Sequence, residues 1–246
     1  MKEITLKGWT ALLLTTCAPA IANEADIRRS LEPKLGGARI ESVQPAPMPG
    51  LFEVVIQTAE GPRIYYSDAT GSFILSGSLL NVKEGRDLTR ERIQKLSAVD
   101  FKKLPLDLAV KIQRGNGKRV LAMFSDPYCP ACRQFERSLM QINDVTIYVF
   151  MYPVIRPENA DHSRAVWCAP DRAKAWLDLA AAPTPKIPPT GVRCDTPVEK
   201  VLALGKSLGV NSTPTFYLTT GERFSGGLAA AELRDVLDKA LTEKSR

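Results

Sequence analysis

The sequence predicts an α/β (α+β) chain in two folded parts, on three observations. A hydrophobic strand runs into Phe124-Ser125-Asp126-Pro127-Tyr128-Cys129-Pro130-Ala131-Cys132, where a Cys-x-x-Cys opens a helix. From Pro105 to the C-terminus, strand and helix patterns alternate. Before that, about sixty residues read as a short helix followed by strands and turns, with too little apolar content for a large core of their own.

Met1 to Ala22 combine Lys2 and Lys7, an apolar stretch from Trp9 to Leu14 and the small-residue site Ala20-Ile21-Ala22. This pattern predicts a secretory signal peptide over residues 1–22, cut before Asn23. The stretch Leu14-Thr15-Thr16-Cys17 superficially resembles a lipoprotein site, but threonine before the cysteine fits it poorly. Cleavage removes one of the five cysteines. The remaining four are an even number that suits an oxidising compartment, here the periplasm. It also lowers the net charge from +6 to +5 by removing Lys2, Lys7 and Glu3. That excess is spread among mixed charges, which argues against a nucleic-acid partner.

An N-terminal domain is expected over residues 23–84. Ile27, Leu31 and Leu35 form a helical stripe stopped by Gly36-Gly37. Phe52 to Gln57, Ile64 to Ser67 and Phe73 to Leu75 read as strands separated by Glu60-Gly61-Pro62 and Asp68-Ala69-Thr70-Gly71. A piece this small is expected to complete itself against a partner surface, most simply in a dimer. Residues 85–104 read as a charge-dense linker helix capped by Thr89 and closed by Pro105.

Residues 105–246 form the larger expected domain. Lys111 to Gln113, Arg119 to Phe124 and Val145 to Met151 read as strands, and Pro130 to Ile142 as the helix carrying the dithiol. Ala165 to Ala181 and Val198 to Leu208 read as helices, and Thr215 to Leu218 with Arg223 to Phe224 as a strand pair. The last helix spans Leu228 to Leu241, with Leu233, Val236, Leu237 and Leu241 as its buried stripe. A Cys-x-x-Cys between the first long strand and a helix of such a pattern is the thioredoxin-like arrangement.

Two cysteines three apart at a helix start lie on one face, near enough for a reversible bond. Unpaired N–H groups and the positive end of the helix favour a thiolate at Cys129, whereas Cys132 lies one turn further in. Cys129 is therefore expected to attack and Cys132 to resolve. Pro130 suits the first turn because its missing N–H would have no partner there. Two alternatives remain open. The pair could be half of a zinc site with Cys168, Cys194 or His162, or it could be a purely structural disulfide.

The chain strongly resembles the periplasmic protein disulfide isomerases of the DsbC/DsbG type. The carriers are Ile40-Glu41-Ser42-Val43-Gln44-Pro45-Ala46-Pro47, Phe124-Ser125-Asp126-Pro127, Trp167-Cys168-Ala169 and Gly209-Val210-Asn211-Ser212-Thr213-Pro214. The resemblance implies a homodimer built from cystatin-like N-terminal domains, linker helices, and thioredoxin-like catalytic domains with a helical insertion. It implies a cis Pro214 that sets Thr213 beside Cys129, with backbone free to pair with a substrate strand, and active-site support from Pro130 and Ala131. It also implies a structural disulfide between Cys168 and Cys194. On the chain-entropy model, closing that loop of about 27 residues stabilises by roughly 3 to 4 kcal/mol.

Two departures stand out. The dipeptide between the cysteines is Pro-Ala, where the isomerase branch resembles Gly-Tyr and the DsbG branch Pro-Tyr. Met123 occupies the place, six residues before Cys129, where thioredoxin keeps an acid. Asp126 reads equally well as a proton acceptor for Cys132 and as a capping carboxylate. His162 reads as a surface histidine, Tyr128 as local packing or a shield, and Phe135 as core.

The activity implied is isomerisation of wrong disulfides in secreted proteins, with accompanying chaperone activity. No cofactor beyond the Cys129–Cys132 dithiol and no metal are expected, and the implied partners are mis-oxidised secreted proteins and a DsbD-like membrane reductant. A DsbG-like reductase of sulfenylated cysteines is the main alternative, followed by a DsbA-like oxidase and a pure holdase.

Overall fold

A computed structural model of the protein describes residues 19–58, 61–182, 184–189 and 194–244. The signal-peptide reading therefore lies almost wholly outside the described residues. Among those that are described, no helix is long and apolar enough to cross a membrane. The chain divides into two compact units, residues up to 58 with 63–77, and residues 59–62 with 78–246.

The first unit begins with α1 (Pro19–Leu31), which starts four residues ahead of the expected cleavage point. There follow β1 (Arg39–Pro45), β2 (Phe52–Thr58), β3 (Gly61–Ser67) and β4 (Ile74–Leu75), forming a sheet in the order β1-β2-β3-β4. Ile27 and Leu31 of α1 pack on Ile40, Val54 and Ile56, a core as small as the sequence implied. Strand β1 was not expected. A bulge between Ile40 and Ser42 shifts its register against β2, so its apolar residues lose the two-residue alternation that marks a strand.

The second unit opens with the small β5–β6 hairpin (Leu80–Asn81 and Arg86–Asp87) and α2 (Leu88–Leu96). The expected linker helix over 85–104 is thus a nine-residue helix followed by a separate short 3-10 turn at Phe101–Lys103. Its N-cap is Asp87, which accepts from the Arg90 N–H at 2.9 Å. Thr89, the expected cap, is buried and accepts from the Leu79 N–H at 2.8 Å.

Next come β7 (Val110–Arg114), β8 (Arg119–Ser125), α3 (Pro130–Leu139), β9 (Val145–Met151), α4 (Ala160–Cys168), α5 (Arg172–Ala180), α6 (Val198–Ser207), β10 (Thr215–Leu218), β11 (Arg223–Ser225) and α7 (Ala230–Lys244). Five strands form one sheet in the order β11-β10-β8-β9-β7; β8 and β9 are parallel and the other pairs antiparallel. The single helix expected from Ala165 to Ala181 is two. Pro170 disfavours helical backbone at Ala169, and Asp171 caps α5 by accepting from the Lys174 N–H at 2.9 Å.

Strand β8 sits at the sheet's centre, and its side chains alternate between two cores. Leu121 and Met123 pack with Phe135 and Leu139 of α3 and with Leu233 and Leu237 of α7. Ala122 and Phe124 pack on the opposite face with Phe150, Tyr152, Val201 and Tyr217.

Candidate active site

The dithiol lies where β8 ends and α3 begins. Cys129 is the N-cap of α3, with extended backbone and no side-chain cap bond, and Pro130 takes the first helical position. Its carbonyl receives the Arg133 N–H at 3.1 Å, which starts the helix. Both cysteines are free thiols; Cys129 is 6% exposed and Cys132 1%.

Asp126 fixes the turn between strand and helix. It is fully buried, and its carboxylate accepts from the Tyr128 N–H at 2.8 Å and the Ile155 N–H at 2.7 Å. Its carbonyl accepts from the Cys129 N–H at 3.1 Å, and its own N–H reaches Cys132 Sγ at 3.5 Å. Of the two readings left open for Asp126, the capping carboxylate describes these contacts. The residue acts on Cys132 through its backbone N–H.

The loop from Gly209 to Pro214 brings Thr213 to the dithiol. The Thr213–Pro214 peptide is cis. The Cys129 thiol donates to the Thr213 carbonyl at 3.2 Å. The loop is held by the Tyr152 hydroxyl, which donates to the Val210 carbonyl at 3.2 Å, and by the Thr215 hydroxyl on the Ser212 carbonyl at 2.7 Å. Pro130 and Ala131 are exposed at the helix start, and the Ala131 N–H faces the Cys129 sulfur.

The two sulfurs differ in acidity. Burial pushes the Cys129 thiol up, but the Thr213 hydroxyl, the Cys132 N–H, the Cys132 thiol and the Ala131 N–H outweigh it and leave Cys129 below the ordinary thiol value. Burial pushes Cys132 up to about 12, against the Asp126 N–H and the Thr213 and Ser125 hydroxyls, with Cys129 adding to the rise. One thiol is thus primed to ionise while its neighbour keeps its proton.

Ser125 Oγ and Thr213 Oγ1 are buried, and neither completes a hydrogen bond. Each nonetheless lies where it favours ionisation of a sulfur. At the rim, the Tyr128 hydroxyl and His162 Nδ1 are hydrogen-bonded, and the Arg156 guanidinium lies 5.9 Å from the Tyr128 ring centre. His162 is therefore half-buried beside the residue preceding Cys129 instead of lying free on the surface. Phe135 is core, stacked on Phe216 at 5.0 Å.

Cys168 and Cys194 are joined in a disulfide, which removes both as ligands for a zinc site at the dithiol. Sequence reasoning missed Glu136, which is buried on α3 and accepts from Trp176 Nε1 at 2.8 Å. Its helical spacing from Cys132 was visible, but nothing in the pattern marked it as interior. Nothing in the sequence singles out Ser125 either.

Comparison with known proteins agrees with this geometry. Residues 106–241 match the model of a thioredoxin-like domain, and residues 18–90 match that of the disulfide bond isomerase N-terminal domain. The chain is 41% identical over 207 residues to the probable thiol:disulfide interchange protein DsbC of Bordetella parapertussis, covering 84% of this chain and 71% of the relative. It is 24% identical over 227 residues to the thiol:disulfide interchange protein DsbC of Escherichia coli K12, covering 89% of each. A crystal structure of a disulfide interchange protein from Neisseria gonorrhoeae superposes with a TM-score of 0.53 at 40% identity, covering 56% of this chain and 99% of that one.

Proposed function

The chain belongs to the DsbC family of thiol:disulfide interchange proteins, and from that premise we propose that it is a periplasmic isomerase that rearranges wrong disulfides in secreted proteins through Cys129 and Cys132. The observation that carries this reading is the opposite acidity of the two thiols, with Cys129 lowered and Cys132 pushed up to about 12.

The Cys129 thiolate attacks a substrate disulfide; a bond forms between Cys129 Sγ and one substrate sulfur, and the other leaves as a thiolate. A substrate thiolate then displaces Cys129 to give a new pairing, with no net change in oxidation. If rearrangement stalls, Cys132 loses its proton to water and attacks Cys129 Sγ. The dithiol is then oxidised to a disulfide and the substrate leaves reduced by two electrons. Thr213 lies two residues before the start of β10, beside Pro214 and near the exposed Pro130 and Ala131, which supports a role for its backbone in pairing with an extended substrate strand.

The working form is the dithiol, which calls for a DsbD-like membrane reductant. Assembly as a homodimer is supported by the N-terminal match and by the edge strand β4 with the residue before it, since Phe73, Ile74 and Leu75 are 77%, 49% and 54% exposed. Apolar surface of this kind also suits chaperone activity toward partly unfolded chains.

The test is reactivation of a scrambled-disulfide protein by the pre-reduced chain, with Cys129→Ser alongside. Catalysed recovery that is lost in the variant is the expected result. No recovery, with the dithiol still readily oxidised, would overturn the isomerase reading in favour of a reductase of sulfenylated cysteines.

A further inference from the structure

Cys132 must ionise to close the disulfide, yet it is the more buried and less acidic of the two thiols. No acid lies beneath it on β8: Met123 fills the sheet face covered by α3, packed among Leu121, Phe135 and Leu139. Two residues further along that face, at the last position of β8, stands Ser125. Alternation along the strand aims its side chain toward α3, where Cys132 sits one turn into the helix. Ser125 is 1% exposed. Its carbonyl is engaged by the Tyr152 N–H at 2.9 Å, but its hydroxyl completes no hydrogen bond. An orphaned hydroxyl in a buried site is costly unless it serves a state in which a partner is present.

We propose that this state is the Cys132 thiolate, and that Ser125 Oγ–H and the Asp126 N–H together hold its charge while it attacks Cys129 Sγ. The Asp126 donor already lies 3.5 Å from the sulfur. Ser125 is the second donor, and the negative charge on the sulfur draws its hydroxyl into a hydrogen bond that the neutral thiol leaves unmade. It thereby selectively stabilises the attacking form, as donors aimed at developing charge do elsewhere. In the closure step the Cys132–Cys129 bond forms, the bond from Cys129 to the bound sulfur breaks, and the leaving sulfur departs as a thiolate. The Cys132 proton goes to water. Ser125 thus governs how quickly a stalled mixed disulfide escapes and leaves the first attack alone. The inference rests on the reading of Cys129 and Cys132 as the exchange pair.

The experiment mixes the full reduced chain with 5,5′-dithiobis(2-nitrobenzoate) and follows thionitrobenzoate release by stopped flow. The first equivalent reports attack by Cys129, and the second reports closure by Cys132. For Ser125→Ala, closure is expected to slow about tenfold, the worth of one hydrogen bond to a charged group, while the first phase stays within twofold. Ser125→Thr keeps the hydroxyl and is expected to close within threefold of the parent; Ser125→Val, nearly the same shape without it, is expected to slow like alanine. Thermal melting of the alanine variant is expected not to fall below the parent's, since the buried hydroxyl it removes completes no bond. The proposal is overturned if Ser125→Ala and Ser125→Val close as quickly as the parent, or if both phases slow equally. Absence of the first phase from the parent would instead overturn the underlying reading of the dithiol.

Discussion

Cys129 and Thr213 stand 84 residues apart in the chain, and the thiol of the first donates to the backbone carbonyl of the second at 3.2 Å. The contact joins the start of α3 to the loop leading into β10, so two separate segments of the second unit define the reactive sulfur. Thr213 also places its buried hydroxyl where it lowers the acidity barrier of both sulfurs.

Replacing that hydroxyl should therefore raise the Cys129 pKa. Thr213→Val keeps the side-chain shape, and its Cys129 is expected to alkylate with iodoacetamide roughly three- to tenfold more slowly near neutral pH, the difference shrinking as pH rises and both forms ionise. Overlaid pH–rate profiles for the two proteins would show that the hydroxyl has no such effect.

Glu136 makes stability depend on pH. Burial raises its carboxyl to about 7, with the Trp176 N–H and the Arg114 charge offsetting only part of the rise. Between the ordinary value of 4.5 and about 7, the native chain holds a proton that the unfolded chain has lost. Stability therefore falls as pH climbs through that window and levels off above it, by about 3 kcal/mol in all. Glu136→Gln keeps the acceptor for Trp176 and does not titrate. Its melting temperature is expected to lack this decline and to exceed the parent's most above about pH 7.5; parallel curves for the two proteins would contradict the assignment.

Asp126 holds two backbone N–H groups in part-buried hydrogen bonds, those of Tyr128 and Ile155. Asp126→Ala should cost about 2 kcal/mol, since two donors lose their acceptor. Chemical denaturation would read this as a lower midpoint with an unchanged slope.

The Cys168–Cys194 disulfide closes the segment between α4 and α6. Converting both residues to alanine is expected to lower stability by roughly 2 to 4 kcal/mol while leaving Cys129 alkylation unchanged. A parallel loss of Cys129 reactivity would give this bond a role in shaping the site.

The regular parts of this fold were legible because their chemistry is local. Val145–Met151 and Thr215–Leu218 match their expected bounds, being apolar runs ended by turns. Strand β1 was hidden by its bulge, and the break between α4 and α5 depended on giving Pro170 more weight than the apolar periodicity around it. At the site, the cysteines announced themselves by spacing, and Pro214 by its place in the resemblance. Ser125, Glu136 and the Tyr128–His162 contact did not. Serine, glutamate and histidine carry no signal of burial by themselves, and their roles come from a strand face, a tryptophan on another helix and a rim formed by α4.

One molecule here holds two pairs of cysteines in opposite states, Cys168 bonded to Cys194 while Cys129 and Cys132 are free. On the proposed activity, the first pair stays oxidised while the second is returned to the dithiol after each escape. Reduction potential and docking both serve to keep the two apart. On that reading, a donor that recharges Cys129 and Cys132 would meet the ground around Tyr128, Pro130 and Ala131 rather than the far end of α4, and the molecule would itself be a substrate whose surface instructs another protein where to act.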